Sequence, residues 1–302
     1  LCMPAGIIVM ICYAAYRTCA SRRKPFHFFL CHHKSGAGSF ARLLKMRLLN
    51  TRGVSRKVFI DTDDLQNLDS LFDMVDKEVE TLVAIHSAQL LMRPWCVGEI
   101  VTAQRANVSI QVVRVHMVNR PSVDFIENFE QYVGDIACLT ERGINHRMVQ
   151  EALAHFATLP GIKLPAELQD ASMDALAKSL VGHAAKEGSK DLDNTQDIVP
   201  QEEHDEHAPL IILSDKRDVE ASAIAYILRE LMQPIVMTQH QVSAVVLPLE
   251  QEVPDNVKHM VMVCTDGIFD SPILAGIVPI VLSGEGGVFV LPLLSSSTFK
   301  FP

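Results

Sequence analysis

From Pro25 onward, short apolar runs alternate with longer amphipathic stretches, and few architectures accommodate that rhythm. Phe26, Phe28, Phe29 and Leu30 leave almost no polar face along Phe26 to Cys31, which is how a strand reads when both its faces are covered. Ser39 to Leu49 places Phe40, Leu43, Leu44, Met46, Leu48 and Leu49 on a helical stripe, with Arg42, Lys45 and Arg47 outward. Lys57 to Ile60 reads as a second strand that runs into the acidic loop Asp61-Thr62-Asp63-Asp64. A helix over Leu71 to Val79, a strand over Thr81 to His86, a helix over Pro94 to Arg105 and a strand over Ile110 to Val115 follow. Helices over Phe125 to Tyr132 and Asn145 to Phe156 close the unit near Pro160. This alternation specifies an α/β fold, a flavodoxin-like doubly wound parallel sheet with its functional loops at the carboxyl ends of the strands.

At 302 residues the chain is long for one such unit and comfortable for two. After a unit over residues 25–160, residues 161–208 hold a helix over Leu164 to Val181 and then a linker. His183 to His207 carries eight acids against two lysines without apolar periodicity, the composition of a solvated connection. Residues 209–302 form a second unit, with a strand at Leu210 to Leu213, a helix over Glu220 to Met232 and strands near Ala244 to Leu247 and Val257 to Cys264. Apolar runs at Val278 to Leu282 and Val288 to Leu294 complete it. The order of elements repeats that of the first unit, with Val257 to Ile277 echoing Glu80 to Ile100. The chemistry does not repeat, because Pro272-Ile273-Leu274-Ala275-Gly276 stands where the first unit has Trp95 and Glu99.

Composition narrows the functions. A net charge of -9 without a basic stripe excludes general nucleic-acid binding, which relies on clustered Lys and Arg. The seven cysteines are scattered, with no CxxC pair and no His partner at ligand spacing, so reduced thiols in a cytoplasmic setting are expected, with no metal site and no bound cofactor. Cys31 and Cys96 read as small buried hydrophobes. Leu1 to Tyr16 carries no charge, and Arg17, Arg22, Arg23 and Lys24 follow. A membrane-spanning helix needs about 20 apolar residues. Residues 1–24 therefore read either as the end of a membrane anchor with its basic flank on the cytoplasmic face or as an apolar helix packed on the domain. Ser35-Gly36-Ala37-Gly38 lacks both the G-x-G-x-x-G pattern and a Lys-Ser/Thr ending, and is not a phosphate loop.

Pro94-Trp95-Cys96-Val97-Gly98-Glu99-Ile100 holds the only tryptophan, four residues before a carboxylate at the start of a helix. With Phe28-Phe29-Leu30-Cys31-His32-His33, Val58-Phe59-Ile60-Asp61, Asp63-Asp64-Leu65 and Leu82 to Ser87, in that order and spacing, it resembles the Toll/interleukin-1 receptor (TIR) domain family over about Pro25 to Pro160. The first unit is similar to NAD-cleaving members, and the other unit resembles a degenerate TIR repeat.

The resemblance implies self-assembly through TIR–TIR contacts with other TIR domains and, where the helix glutamate is present, cleavage of NAD at its nicotinamide–ribose bond. NAD is then a substrate. Glu99 would be the catalytic carboxylate, stabilising an oxocarbenium-like ribose as glycosidase carboxylates do. His32, His33 and Lys34 would meet the substrate where family members often have arginine, and Trp95 would line the pocket or pack as core. Asp61, Asp63, Asp64, Asn67 and Leu68 would form the assembly loop, in which Asn67-Leu68 stands where a glycine is usual. The competing reading is a non-enzymatic signalling scaffold in which Glu99 packs or caps its helix. A receiver-type phosphoacceptor shares the fold but needs an acidic pair after the first strand, where this chain has His32-His33.

Overall fold

The computed structural model describes residues 24–61, 70–186, 210–240, 243–249, 251, 253–254, 257–265 and 288–294. Two all-parallel sheets organise them. The first contains β1 (Phe26–Cys31), α1 (Lys34–Asn50), β2 (Lys57–Phe59), α2 (Leu71–Glu78), β3 (Val79–His86) and α3 (Pro94–Arg105). It continues with β4 (Ser109–Arg114), α4 (Val123–Glu127), α5 (Ala137–Thr140), α6 (His146–Thr158), β5 (Gly161–Lys163) and α7 (Asp170–Lys186). Its strand order is β2-β1-β3-β4-β5, the flavodoxin-like order. The second sheet holds β6 (Leu210–Ser214), α8 (Val219–His240), β7 (Ala244–Pro248), β8 (His259–Cys264) and β9 (Phe289–Leu294). Its order, β7-β6-β8-β9, repeats that of the first four strands.

The apolar run of β1 explains why it is central. Side chains alternate across a strand, so Phe29 and Cys31 enter one core with α2, α3 and α6 residues, while Phe28 and Leu30 enter another with α1 and α7. Five consecutive residues, His27 to Cys31, are buried as a result. On its flanks β1 pairs in parallel with β2 (Phe29 opposite Phe59) and β3 (Phe29 opposite Leu82).

The expected single helix over Phe125 to Tyr132 is instead α4 followed by a 3-10 turn at Phe129–Gln131. Asn128 interrupts it by bonding back to the Asp124 carbonyl and carboxylate at 3.2 and 3.0 Å, an Asn side chain competing with the helix ladder. The first sheet also runs past residue 160, because β5 pairs with β4 through Val112 opposite Gly161 to Arg114 opposite Lys163. Three residues are too few for a periodic signal. The helix expected over Leu164 to Val181 is α7, starting at Asp170, and its Met173, Leu176, Ala177 and Leu180 join the core of the first sheet. The acidic stretch beyond it, the Val278 to Leu282 run and residues 1–23 lie outside the described residues. Among the described residues no helix is long and apolar enough to cross a membrane.

The two sheets meet through their first helices. α1 bends at Ala37 (φ -160, ψ 22), and the amides of Ser39 and Phe40 just beyond the bend donate to the Glu220 carboxylate at 2.8 and 2.9 Å. Glu220 stands in the first turn of α8, behind Asp218, whose carboxylate accepts from the Glu220 and Ala221 amides. α8 then turns one stripe (Ala223, Tyr226, Ile227) onto α1 and another (Ala221, Ala225, Val236) onto its own sheet. Arg47 of α1 closes the far end by pairing with Asp170 and Asp174 at 2.8 and 3.2 Å and with Glu230.

Charge-assisted bonds of this kind are worth about 1.5–3 kcal/mol each. Glu220→Ala is therefore expected to destabilise the chain by about 2–3 kcal/mol in urea unfolding, with faster hydrogen exchange at the Ser39 and Phe40 amides. Unchanged exchange at those two amides would show that the carboxylate is not what holds them.

Candidate functional site

In a sheet of order β2-β1-β3, successive connections leave β1 toward opposite edges, and the carboxyl ends of β1 and β3 flank the resulting crevice. Cys31 and His32 leave β1 here, Asp61 follows β2, and His86 and Ser87 end β3. Arg93 occupies the N-cap of α3, and Pro94 its first position, where a missing amide hydrogen costs nothing. Gly98 lets α3 approach its neighbours, because a Cβ there would stand 2.3 Å from the Phe72 ring and 2.9 Å from Leu139.

Glu99 lies in the second turn of α3, one turn beyond the position expected for it. It is 3% exposed. One of its carboxylate oxygens, Cys31 Sγ and Cys96 Sγ all lie within 4.8 Å of one another. The Cys31 thiol points to the Cys96 carbonyl at 3.9 Å, and the Cys96 thiol donates to the His32 carbonyl at 3.3 Å. Burial pushes the Glu99 carboxyl up to about 8; the Cys31 thiol opposes that rise, the Asp61 charge adds to it and Arg93 opposes it. At pH 7 this acid keeps its proton, a form in which a carboxyl can donate a hydrogen bond.

Beside it, His32 is buried, with Nδ1 3.1 Å from the Leu30 carbonyl. Its Nε2 faces Asp61 Oδ1 at 3.8 Å, too far for a hydrogen bond, and both atoms are buried without a hydrogen-bond partner. Arg93 Nη2 lies 3.9 Å from the other Asp61 oxygen. Burial lowers the His32 pKa, with the Leu30 carbonyl and Asp61 opposing. His33 is half-buried, bonded to Ser35 Oγ at 3.1 Å, and also lowered by burial. Lys34 is exposed at the start of α1.

Trp95 packs elsewhere, its ring 5.6 Å from that of Phe72 and under the Arg142 guanidinium at 4.6 Å. Asp63, Asp64, Asn67 and Leu68, like Pro272 to Gly276, lie outside the described residues. Surface clefts open between α1 and α8 (Arg47, Arg229, Glu230) and between α2 and α3 (Phe72, Thr102, Arg142), and Glu99 lines neither. The Cys31–Cys96 approach and the Arg93–Asp61 contact were missed by sequence reasoning. Linear spacing carries no sign of a pair 65 positions apart. The one available signal was that Cys31 ends a strand and Cys96 begins a helix of the same unit.

No family model matches the chain, and no curated protein does. Among solved structures it is similar to the TIR domains of the activated Roq1 resistosome directly recognising the pathogen effector XopQ. The two are 16% identical, with a TM-score of 0.38, over 51% of this chain and 99% of that one. It is also similar to a putative sugar binding protein from Salmonella typhimurium LT2, at 10% identity and a TM-score of 0.23 over 96% of this chain and 84% of that one. Likenesses at these TM-scores bear on neither fold nor function.

The sign of the Glu99 shift fixes a pH dependence. A carboxyl that ionises near 4.5 in the unfolded chain and near 8 in the fold contributes its full stability below about pH 4.5. That contribution is lost as pH rises through about 8, a span on the order of 5 kcal/mol. In urea unfolding at pH 5 and pH 8.5, Glu99→Gln is expected to flatten the decline seen in the wild type. Equal declines in both proteins would show that another group titrates.

Proposed function

We propose that the unit built on the five-stranded sheet is a TIR-type NAD glycohydrolase that works in an assembly of TIR domains, with Glu99 as its catalytic carboxyl. The observation that carries this reading is the buried, proton-retaining Glu99 beside the β1 end of the switch-point crevice, next to His32, Asp61 and Arg93. Strongly perturbed carboxyls in such places mark reaction sites.

The chemistry asks for such a group. When the nicotinamide–ribose bond breaks, nicotinamide leaves with the bonding electrons and positive charge develops on the ribose. Water adds to that centre and releases a proton. A cationic substrate within about 4–6 Å favours the ionised carboxyl, so the acid that is neutral at rest becomes a carboxylate when NAD arrives. His32, His33 and Lys34 would then stand near the phosphates, with Trp95 supporting α3 from its outer side. The four-stranded unit is a degenerate copy that regulates the first. The protein acts in the cytoplasm, and residues 1–24 would place it on the cytoplasmic face of a membrane if they form an anchor.

A second reading, a non-catalytic TIR scaffold, is favoured by one observation: Glu99 is only 3% exposed, so catalysis needs a rearrangement of the crevice. Purified chain, free and clustered on beads, incubated with NAD separates the two. Clustered wild type is expected to release nicotinamide, and Glu99→Gln to lower the rate by at least about 100-fold. Equal release from both proteins removes Glu99 from the mechanism, and no release from clustered wild type assigns the chain to the scaffold class.

A further inference from the structure

The Cys31, Cys96 and Glu99 cluster is built more specifically than two core thiols require. A thiol behaves as a small hydrophobe, but a carboxyl buried against two thiols carries a desolvation cost that hydrophobic packing does not offset. Its three potential donor atoms converge from β1 and α3, all buried and all within 4.8 Å of one another. We propose that Cys31, Cys96 and Glu99 bind one thiophilic divalent metal ion of the zinc class, tying β1 to α3. A Glu99 carboxylate held by the ion is no longer available to a ribose cation, so the metal-bound form and the NAD-cleaving form proposed above exclude one another; metal binding itself does not rest on that activity.

Two sulfurs and one carboxylate oxygen suit zinc and exclude magnesium or calcium as the preferred ion. Zinc–sulfur and zinc–oxygen bonds of about 2.3 and 2.1 Å at tetrahedral angles put neighbouring ligand atoms roughly 3.6–3.8 Å apart. The cluster therefore contracts by no more than about an ångström on binding, within reach of side-chain rotation alone. Both thiols and the Glu99 carboxyl lose their protons as the ion enters, so three protons are released. The site is then two thiolates and a carboxylate against a dication, a net single negative charge that the nearby Arg93 guanidinium offsets. His32 and Asp61 are outside the group of donor atoms that lie within 4.8 Å of one another, so the fourth position is water's.

The test uses the full chain, reduced and freed of metal, titrated with Co²⁺ as a spectroscopic stand-in. One equivalent is expected to produce a sulfur-to-cobalt charge-transfer band that Zn²⁺ abolishes. Cys31→Ala and Cys96→Ala each lose the band, whereas Cys138→Ala, Cys264→Ala and a Cys2→Ala/Cys12→Ala/Cys19→Ala variant retain it. Glu99→Gln keeps a thiolate band but binds at least about tenfold more weakly. Because the core cysteine variants are also packing changes, X-ray absorption of the wild-type zinc form provides an independent measurement, with a shell of two sulfurs and light atoms expected. A wild type without the band, a band that survives in the Cys31→Ala/Cys96→Ala double variant, or a zinc shell without two sulfurs would overturn the assignment.

Discussion

The Glu220 carboxylate is the interaction on which the arrangement of this chain turns. α1 covers one face of the first sheet, and its bend at Ala37 sends the Ser39 and Phe40 amides out of the helical ladder, where Glu220 accepts both. Such amides at a helix start carry partial positive charge and attract anions. Supplying the anion from α8 fixes that helix alongside α1, which is what allows Ala223, Tyr226 and Ile227 to join the core of the first sheet. Burial raises the Glu220 pKa, and the bonds from Phe40 and Ser39 oppose the rise. The contact persists because those donors replace lost hydration with directed, charge-assisted bonds.

Glu99 meets burial differently. Among the described residues no backbone amide donates to it; the Cys31 thiol and the distant pull of Arg93 oppose the rise, and Asp61 adds to the desolvation. The same residue type is thus a structural anion in α8 and a stored acid in α3. The contrast lies in the donors each backbone presents: free helix amides for Glu220, and two thiols already directed at carbonyls for Glu99. A group held neutral only by its surroundings changes state when those surroundings change, whether by solvent entry, a cation or a metal ion.

The central strands and long helices were legible because their periodicity is long and unambiguous. β1 agrees with the expected Phe26 to Cys31, and α3 with Pro94 to Arg105. The repeated strand order of the two sheets could be read from the order of elements alone. What stayed hidden was set by tertiary contacts. β5 is a strand only because β4 offers an edge to Gly161–Lys163, and α1 starts at Lys34 rather than Ser39 because a first turn, closed by the Gly36 and Ala37 amides on the His33 carbonyl, precedes the bend at Ala37. The helix expected over Leu164 to Val181 is α7, and what the linear pattern did not show is that its Met173 and Leu180 share a core with β1 and α1 residues. At the site, Glu99 stood out through its pairing with Trp95, yet the two diverge in space, Trp95 toward Phe72 and Arg142, Glu99 toward Cys31.

The pairing of α1 with α8 also constrains how copies of this chain can meet. Each of these helices follows the first strand of its own sheet, so like element packs on like element, as in an isologous dimer folded into one chain. The charges make that pairing specific to the two different units, since Arg47, paired within its own unit to Asp170 and Asp174 of α7, also meets Glu230 of α8. Two first units meeting through the same face would set Arg47 against Arg47 and leave the Ser39 and Phe40 amides without their anion. Like charges brought together and donors left unpaired act against the wrong partner. The outer face of α1 is therefore committed within the chain, and any assembly of first units has to form through the surfaces that α8 leaves uncovered.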